Sequence, residues 1–228
     1  MNAALTIFSI VITIGAYCGS RLLNNRYASP LTNIVFLSTA VIIGILLLSG
    51  IDTTEYRPAK EIMTYLLGPA TVALAVPLYN NRVILMKNLI PAGVGLISGS
   101  LASIFVALFF AQLFRLSESI QASLAVKNAT APIAIEITKI IGGDPALTAV
   151  FVVATGFVGS MLGPLLMDKT GINHPLARGL SLGTISHGQG TAQAVMEGEL
   201  QGAIAGVAMG VSAIFTSFLI PNVITLIM

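Results

Sequence analysis

The sequence predicts an all-α fold: a polytopic transmembrane helical bundle with broken or re-entrant helices. Three observations carry this expectation. Of the 228 residues, 55% are hydrophobic and only 9% charged, with a mean hydropathy of +0.92; a soluble domain carries about a quarter charged residues. Charge-free apolar runs cover residues 1–20, 27–51, 62–81, 88–114, 145–167, 179–196 and 200–228, and a spanning helix needs roughly 20 residues. Two polar stretches interrupt the pattern: Asn128-Ala-Thr-Ala-Pro-Ile-Ala134 and Gly183-Thr-Ile-Ser-His-Gly-Gln-Gly-Thr-Ala192. Irregular backbone at bilayer depth is tolerated only where protein buries it or where it lines a wet cavity. Residues 1–228 are expected to form one integral membrane domain.

The elements follow in order. Spans at 3–20 and 31–49 are joined by a basic loop, Arg21 to Arg26. A mixed-charge loop holds Asp52, Glu55, Arg57 and Lys60. The third apolar stretch contains Gly68, Pro69 and Pro77; proline removes a ladder bond and clashes with the preceding turn, so breaks or kinks are expected there. The Gly68-Pro-Ala-Thr71 break is either a cavity-facing element or a simple kink. A loop from Asn80 to Lys87 leads to a fourth span at 88–114, whose Gly93, Gly95 and Gly99 suit close helix contact. Tyr27, Tyr56, Tyr65 and Tyr79 fall near span ends, where amphipathic rings prefer the interface.

The positive-inside rule places loops 21–26 and 82–87 in the cytoplasm and the N-terminus outside. The basic cluster Lys169 to Arg178 reaches the cytoplasm only if 117–142 or 145–167 fails to cross. Segment 117–142 is the natural candidate: Lys127, Glu136 and Lys139 each cost about 2.5–3.5 kcal/mol at a helix centre, while each Leu, Ile or Val returns about 0.3–0.6. A re-entrant or broken element is expected, and 179–196 has the same character. An internal repeat is suggested by Ala70-Thr-Val-Ala-Leu-Ala75 against Ala129-Thr-Ala-Pro-Ile-Ala134, with Gly95 and Gly99 matching Gly156 and Gly159. Paired interrupted segments of this kind point to transporter binding sites.

Composition excludes several functions. A net charge of +2 and a pI near 8.8 are too small a bias for nucleic acid. Cys18 is the sole cysteine; no internal disulfide can form, and a small packing role is expected. The first apolar run has no basic leader, so a cleaved signal peptide is not expected. His174 and His187 lack close carboxylate or thiol companions, so neither a metal nor a cofactor is expected. No nucleophile–base pair and no phosphate loop is visible, so the chain is not expected to be an enzyme.

The polar stretches carry the chemistry. Asn128 or Thr130 can cap a helix starting near Pro132, since proline fits the first turn and Asn/Thr oxygens accept orphan amides. The positive helix end and Lys127 together make a site for a carboxylate or phosphate; the bland alternative is Lys127 snorkelling to the interface. Glu136 either pairs with Lys139 at i,i+3 or carries a proton for coupled transport. In the second stretch, Gly188 and Gly190 let backbone approach a ligand or another helix, and Ser186 or Thr191 can cap the helix that follows. His187 titrates near neutral pH and is a candidate for anion binding or proton coupling, against a structural hydrogen-bonding role. The expected substrate-binding set is therefore Lys127, Asn128, Thr130, Ser186, His187, Gly188, Gly190 and Thr191.

These motifs resemble the LrgB/CidB family of bacterial membrane proteins. The likeness lies in Gly68-Pro-Ala-Thr-Val-Ala-Leu-Ala-Val-Pro-Leu-Tyr79, Lys127-Asn-Ala-Thr-Ala-Pro-Ile-Ala134, Ile141-Gly-Gly143 and Ala177-Arg-Gly-Leu-Ser-Leu-Gly-Thr-Ile-Ser-His-Gly-Gln-Gly-Thr-Ala192. It departs at Val126, where relatives commonly carry proline, and at Asn128-Ala129, where Ser-Val is usual. The resemblance implies a multi-pass protein of the bacterial plasma membrane with a smaller, holin-like LrgA/CidA partner and an antiholin-like role in murein hydrolase regulation and lysis. A plastid relative exchanges glycolate and glycerate, and bacterial members are linked to pyruvate. Two functions are thus expected: a carrier of small monocarboxylates, or a regulator without transport of its own. The glycines of span four and of 200–228 could serve contacts with neighbours, including further copies.

Overall fold

A computed structural model of the protein describes residues 3–27, 29–73 and 75–227. The described residues are helical throughout, with no strand among them. They divide into two compact units, 1–75 and 76–228, each taken by itself below.

In the first unit, α1 (Ala3–Arg26) packs against α2 (Ile34–Ser49) and α3 (Thr53–Ala73). The stretch expected as a basic loop, Arg21 to Arg26, is instead the last turns of α1. It holds no Gly or Pro, and Arg and Leu are good helix formers. Asn33 caps α2 by accepting from the Phe36 amide at 3.1 Å, and Gly50 ends it in the left-handed region at φ 65. Asp52 opens α3 by accepting from the Thr53 amide at 2.6 Å, while its own amide donates to Glu55 at 3.1 Å, the reciprocal half of a capping box. The Thr54 hydroxyl, and after it the Thr53 amide, hold the Asp52 carboxyl below the usual carboxylate range. The Tyr56 hydroxyl meets Thr13 of α1 at 2.8 Å. Cys18 is exposed on α1 instead of packed.

Helix α3 holds the first of the expected breaks or kinks. It runs through Gly68 and Pro69 without stopping, because one proline removes a single ladder bond and the neighbouring bonds carry the helix past it. Pro77 likewise lies within helix, in α4 (Ala75–Asn80).

In the second unit, α5 (Arg82–Lys87) replaces most of the loop expected at 80–87; Arg-Val-Ile-Leu-Met-Lys contains no helix breaker. Helix α6 (Leu89–Leu113) is the fourth span. Of its three glycines, Gly95 sits at a close contact, where an added methyl would lie 3.1 Å from Leu180, while Gly93 and Gly99 face open space. Then come α7 (Glu118–Ala125), α8 (Ala131–Ile141), α9 (Pro145–Lys169), α10 (Pro175–Glu197) and α11 (Glu199–Ile227). Among the described residues, four helices are long and apolar enough to cross a membrane, namely most or all of α1, α6, α9 and α11. The protein is a multi-pass membrane protein.

Two elements of this unit fold back on themselves. Ser123 of α7 accepts from the Asp144 amide at 2.8 Å, although twenty-one residues of continuous helix would span about 31 Å. Arg178 at the start of α10 grips Glu197 at its end, with Nε at 2.7 Å from Oε2 and Nη2 at 3.1 Å from Oε1, across a length of helix that would span about 28 Å. Helix α10 is therefore a hairpin, and its reversal is His187, at φ 43 and ψ −123. A Cβ on Gly190 would collide with the Leu182 carbonyl, so the two arms touch just behind the tip.

The hairpins enter from opposite ends of α9. Asp144 caps the start of α9, accepting from Ala146 and Leu147, beside α7. Asp168 near its other end holds Arg178 at 2.6 Å, at the mouth of α10. Helix α9 is about 37 Å long, α8 about 16 Å and the first arm of α10 (175–186) about 18 Å, so the two tips meet near the middle of α9. Gly156 and Gly159, at that midpoint, pack directly on Gln189 and Ser186. The returning α7–α8 segment is the element that was expected not to cross.

Candidate functional site

The first tip is the segment between α7 and α8. Thr130 occupies the N-cap position of α8 with extended backbone, yet its side chain makes no capping bond; Pro132 lies in the first turn. Proline also explains why the chain opens here. Its nitrogen is the one that would bond the Asn128 carbonyl four residues back, and it carries no hydrogen. Lys127 Nζ donates to Ser103 Oγ of α6 at 2.8 Å and to Asn128 Oδ1 at 2.9 Å. Ser103 Oγ donates to the same Oδ1 at 3.0 Å. Asn128 is fully buried and its Nδ2 finds no partner among the described residues.

The second tip is His187. Its ring is 3% exposed, and neither nitrogen makes a hydrogen bond among the described residues. It lies beside the backbone of Lys127 and Asn128, within electrostatic reach of the Lys127 ammonium. A buried, unpaired polar group costs about 1–3 kcal/mol, and a non-glycine residue at positive φ adds about 1–3 more. The fold tolerates both at one residue, as it does where function fixes geometry. Thr184, just before the reversal, also has a buried hydroxyl without a partner.

Helix α11 ties the tips together. Ser212 Oγ lies 3.5 Å from the Asn128 carbonyl and 3.5 Å from the Thr184 carbonyl, and 3.3 Å from Ser100 Oγ of α6. Ser100, Ser212, Asn128 and Thr184 are all buried, while Lys127 is half-buried.

The expected residues thus divide. Lys127, Asn128 and His187 come together. Ser186 is buried, but against Gly159 of α9, and Thr191 donates to Met209 Sδ at 3.8 Å. Gly190 serves the packing of the hairpin arms, whereas Gly188 is exposed with open space around it. Of the tip amides, that of Ala129 is bound to the Val126 carbonyl at 3.0 Å. Glu136 is exposed on α8 and pairs with Lys139 at 2.6 Å, so the pairing alternative is the one realised and the residue lies outside the cluster. The sequence reading missed Ser100, Ser103, Thr184 and Ser212, whose signal is a hydroxyl in mid-span, and Arg178 with Glu197, the charges flanking an uncharged segment. Among the described residues no group of His, Cys, Asp and Glu could hold a metal ion.

The arrangement offers one full positive charge, an amide with unused donors and an imidazole close together. Such a set suits a small anion.

Comparison with known proteins agrees in scale. YxaC of Bacillus subtilis strain 168 is 34% identical over 225 residues, covering 99% of this chain and 98% of its own. The holin-like protein CidB of Staphylococcus epidermidis strain RP62A is 30% identical over 220 residues, 96% of each chain. CidB of Staphylococcus aureus strain Mu50 is 29% identical over 217 residues, 95% of each. No solved structure matches. Residues 13–226 match the LrgB-like family, and the chain belongs to that family.

Proposed function

We propose that the protein carries small monocarboxylates of the 2-oxo or 2-hydroxy type, such as pyruvate, glycolate or glycerate, across the bacterial plasma membrane. The observation that supports this best is the meeting of two hairpin tips near the middle of α9, which brings Lys127, Asn128 and His187 together. Lys127 and the Asn128 amide bind the carboxylate, helped by the positive end of α8 at Thr130. His187 faces the 2-oxo or 2-hydroxy group, with Ser186, Thr191 and the backbone at Gly188 and Gly190 shaping the second tip. His187 is also the group best placed to carry a coupled proton. Alternating access follows from rocking one hairpin against the other about a site that both share. The protein is not an enzyme in this reading; it acts with a small LrgA/CidA-like membrane partner.

The test is uptake of labelled pyruvate and glycolate by purified protein in proteoliposomes. Lys127→Ala and His187→Ala are expected to cut uptake at least a hundredfold while leaving protein abundance unchanged. Undiminished uptake in both variants rejects the site.

A second reading is supported by the holin-like name of the staphylococcal relatives. The protein then regulates murein hydrolase activity and lysis through contact with its partner and moves nothing itself. It predicts no flux in the same vesicles with or without the partner, and lysis phenotypes that follow partner contact.

A further inference from the structure

We propose that the oxygens gathered around Ser212 form a sodium-ion site. Ser212 Oγ has three oxygen neighbours: Ser100 Oγ at 3.3 Å, and the carbonyls of Asn128 and Thr184 at 3.5 Å each. Hydroxyl hydrogen bonds centre on about 2.7–2.8 Å, and other buried hydroxyls here achieve that, as at Thr138–Thr148, 2.8 Å. Ser212 has only one hydrogen to give, so it cannot serve two carbonyls well, and all three neighbours stand too far away. A spacing near 3.4 Å has another meaning. Oxygens about 2.4 Å from a hard cation and at right angles to one another stand about 3.4 Å apart.

The provenance of the oxygens agrees. Pro132 denies the Asn128 carbonyl its helical donor, and Thr184 lies in the last turn before the reversal at His187, where carbonyls lose regular partners. Carbonyls freed by unwound helices are the ligands that hold alkali cations in transporters. Thr184 itself is buried, and its hydroxyl is unpartnered among the described residues, a neutral oxygen on the same residue as one of these carbonyls. None of these groups is a carboxylate, which disfavours a divalent ion; the short spacing disfavours a larger alkali cation.

The charged and titratable groups facing the cluster are Lys127 and His187. Both would oppose a cation, so the site fills best when an anion is bound beside Lys127. Sodium and carboxylate then stabilise one another, which makes the ion a co-substrate. That coupling, though not the ion site itself, rests on the carrier reading above.

The experiment is binding of radioactive sodium to the purified, detergent-solubilised full chain, with and without pyruvate. Saturable binding is expected, displaced by NaCl and not by KCl or choline chloride. Ser212→Ala is expected to weaken it about tenfold or more, the scale of losing a supporting ligand. Should Ser212→Ala fail to fold, Ser100→Ala and Thr184→Val carry the same test. Absence of saturable sodium binding in the native protein overturns the proposal, as does binding that survives all three substitutions. In proteoliposomes, equal pyruvate uptake in choline and sodium buffers sinks the coupling while leaving the carrier standing. Sodium binding without any uptake leaves the ion site standing and sinks the carrier.

Discussion

The two interrupted helices reach the same point by different means. At the first tip, proline and polar side chains open the chain over several residues: Lys127 is half-exposed, Asn128 is held by two donors, and Pro132 starts the next helix. At the second, a single residue, His187, reverses the chain, and the arms close so tightly that glycine is required at 190. The first break is written in local chemistry and would persist in a looser fold. The second is imposed by packing and by an ion pair at its base, against the preference of the residue at the tip. A site between them combines a compliant wall with a stiff one.

The largest effect is expected from attacking the stiff wall. Gly190→Val drives a side chain into the Leu182 carbonyl, which cannot yield, and should cost more than about 3 kcal/mol; thermal unfolding in detergent checks this. Gly156→Ala meets only the movable end of Gln189 and should cost markedly less, which separates backbone collision from side-chain crowding. Next comes Arg178→Ala. Arg178 and Glu197 side chains are 11% and 13% exposed, and stranding one partner of a largely buried pair costs about 3–5 kcal/mol. Arg178→Lys keeps the charge but loses the bidentate grip, and should recover part of that loss.

Relieving the tip tests the comparison from the other side. His187→Gly removes the positive-φ strain and should raise stability by about 1 kcal/mol while abolishing uptake. Loss of both stability and uptake would mean that the imidazole holds the hairpin together. At the compliant wall, Pro132→Ala restores a donor to the Asn128 carbonyl and should change stability by less than about 1 kcal/mol, yet slow uptake. The smallest effect belongs to Glu136→Gln. An exposed i,i+3 pair is worth about 0.5 kcal/mol or less, and uptake should not change; a large loss would return Glu136 to proton coupling.

This difference also explains what could be foreseen. The break at Pro132, the Glu136–Lys139 pair and the returning segment 117–142 were legible because proline geometry, helical spacing and the cost of intramembrane charge are local quantities. Gly68 and Pro69 mark the limit of such signals: a local rule says that a bond is missing, but not whether the helix continues past the loss, as α3 does. The reversal at His187 was visible only as polarity. Its proof is Arg178 touching Glu197, a contact between residues nineteen apart that no local rule anticipates. Ser100, Ser103 and Ser212 were hidden because a serine in an apolar span reads like any small residue until its neighbours are known.

The face of α9 beneath the second tip has a mechanical consequence. At Gly156 and Gly159 this long helix leaves notches that the side chains of Gln189 and Ser186 fill, since an added methyl would collide with their polar tips, and at Gly163 it would stand 3.2 Å from Leu182. The hairpin is keyed into α9, and sliding along it requires Gln189 and Ser186 to leave those notches. Movement of the hairpin and α9 together as one body is then the easier motion, with Arg178 fastening the base of the hairpin to Asp168 at 2.6 Å.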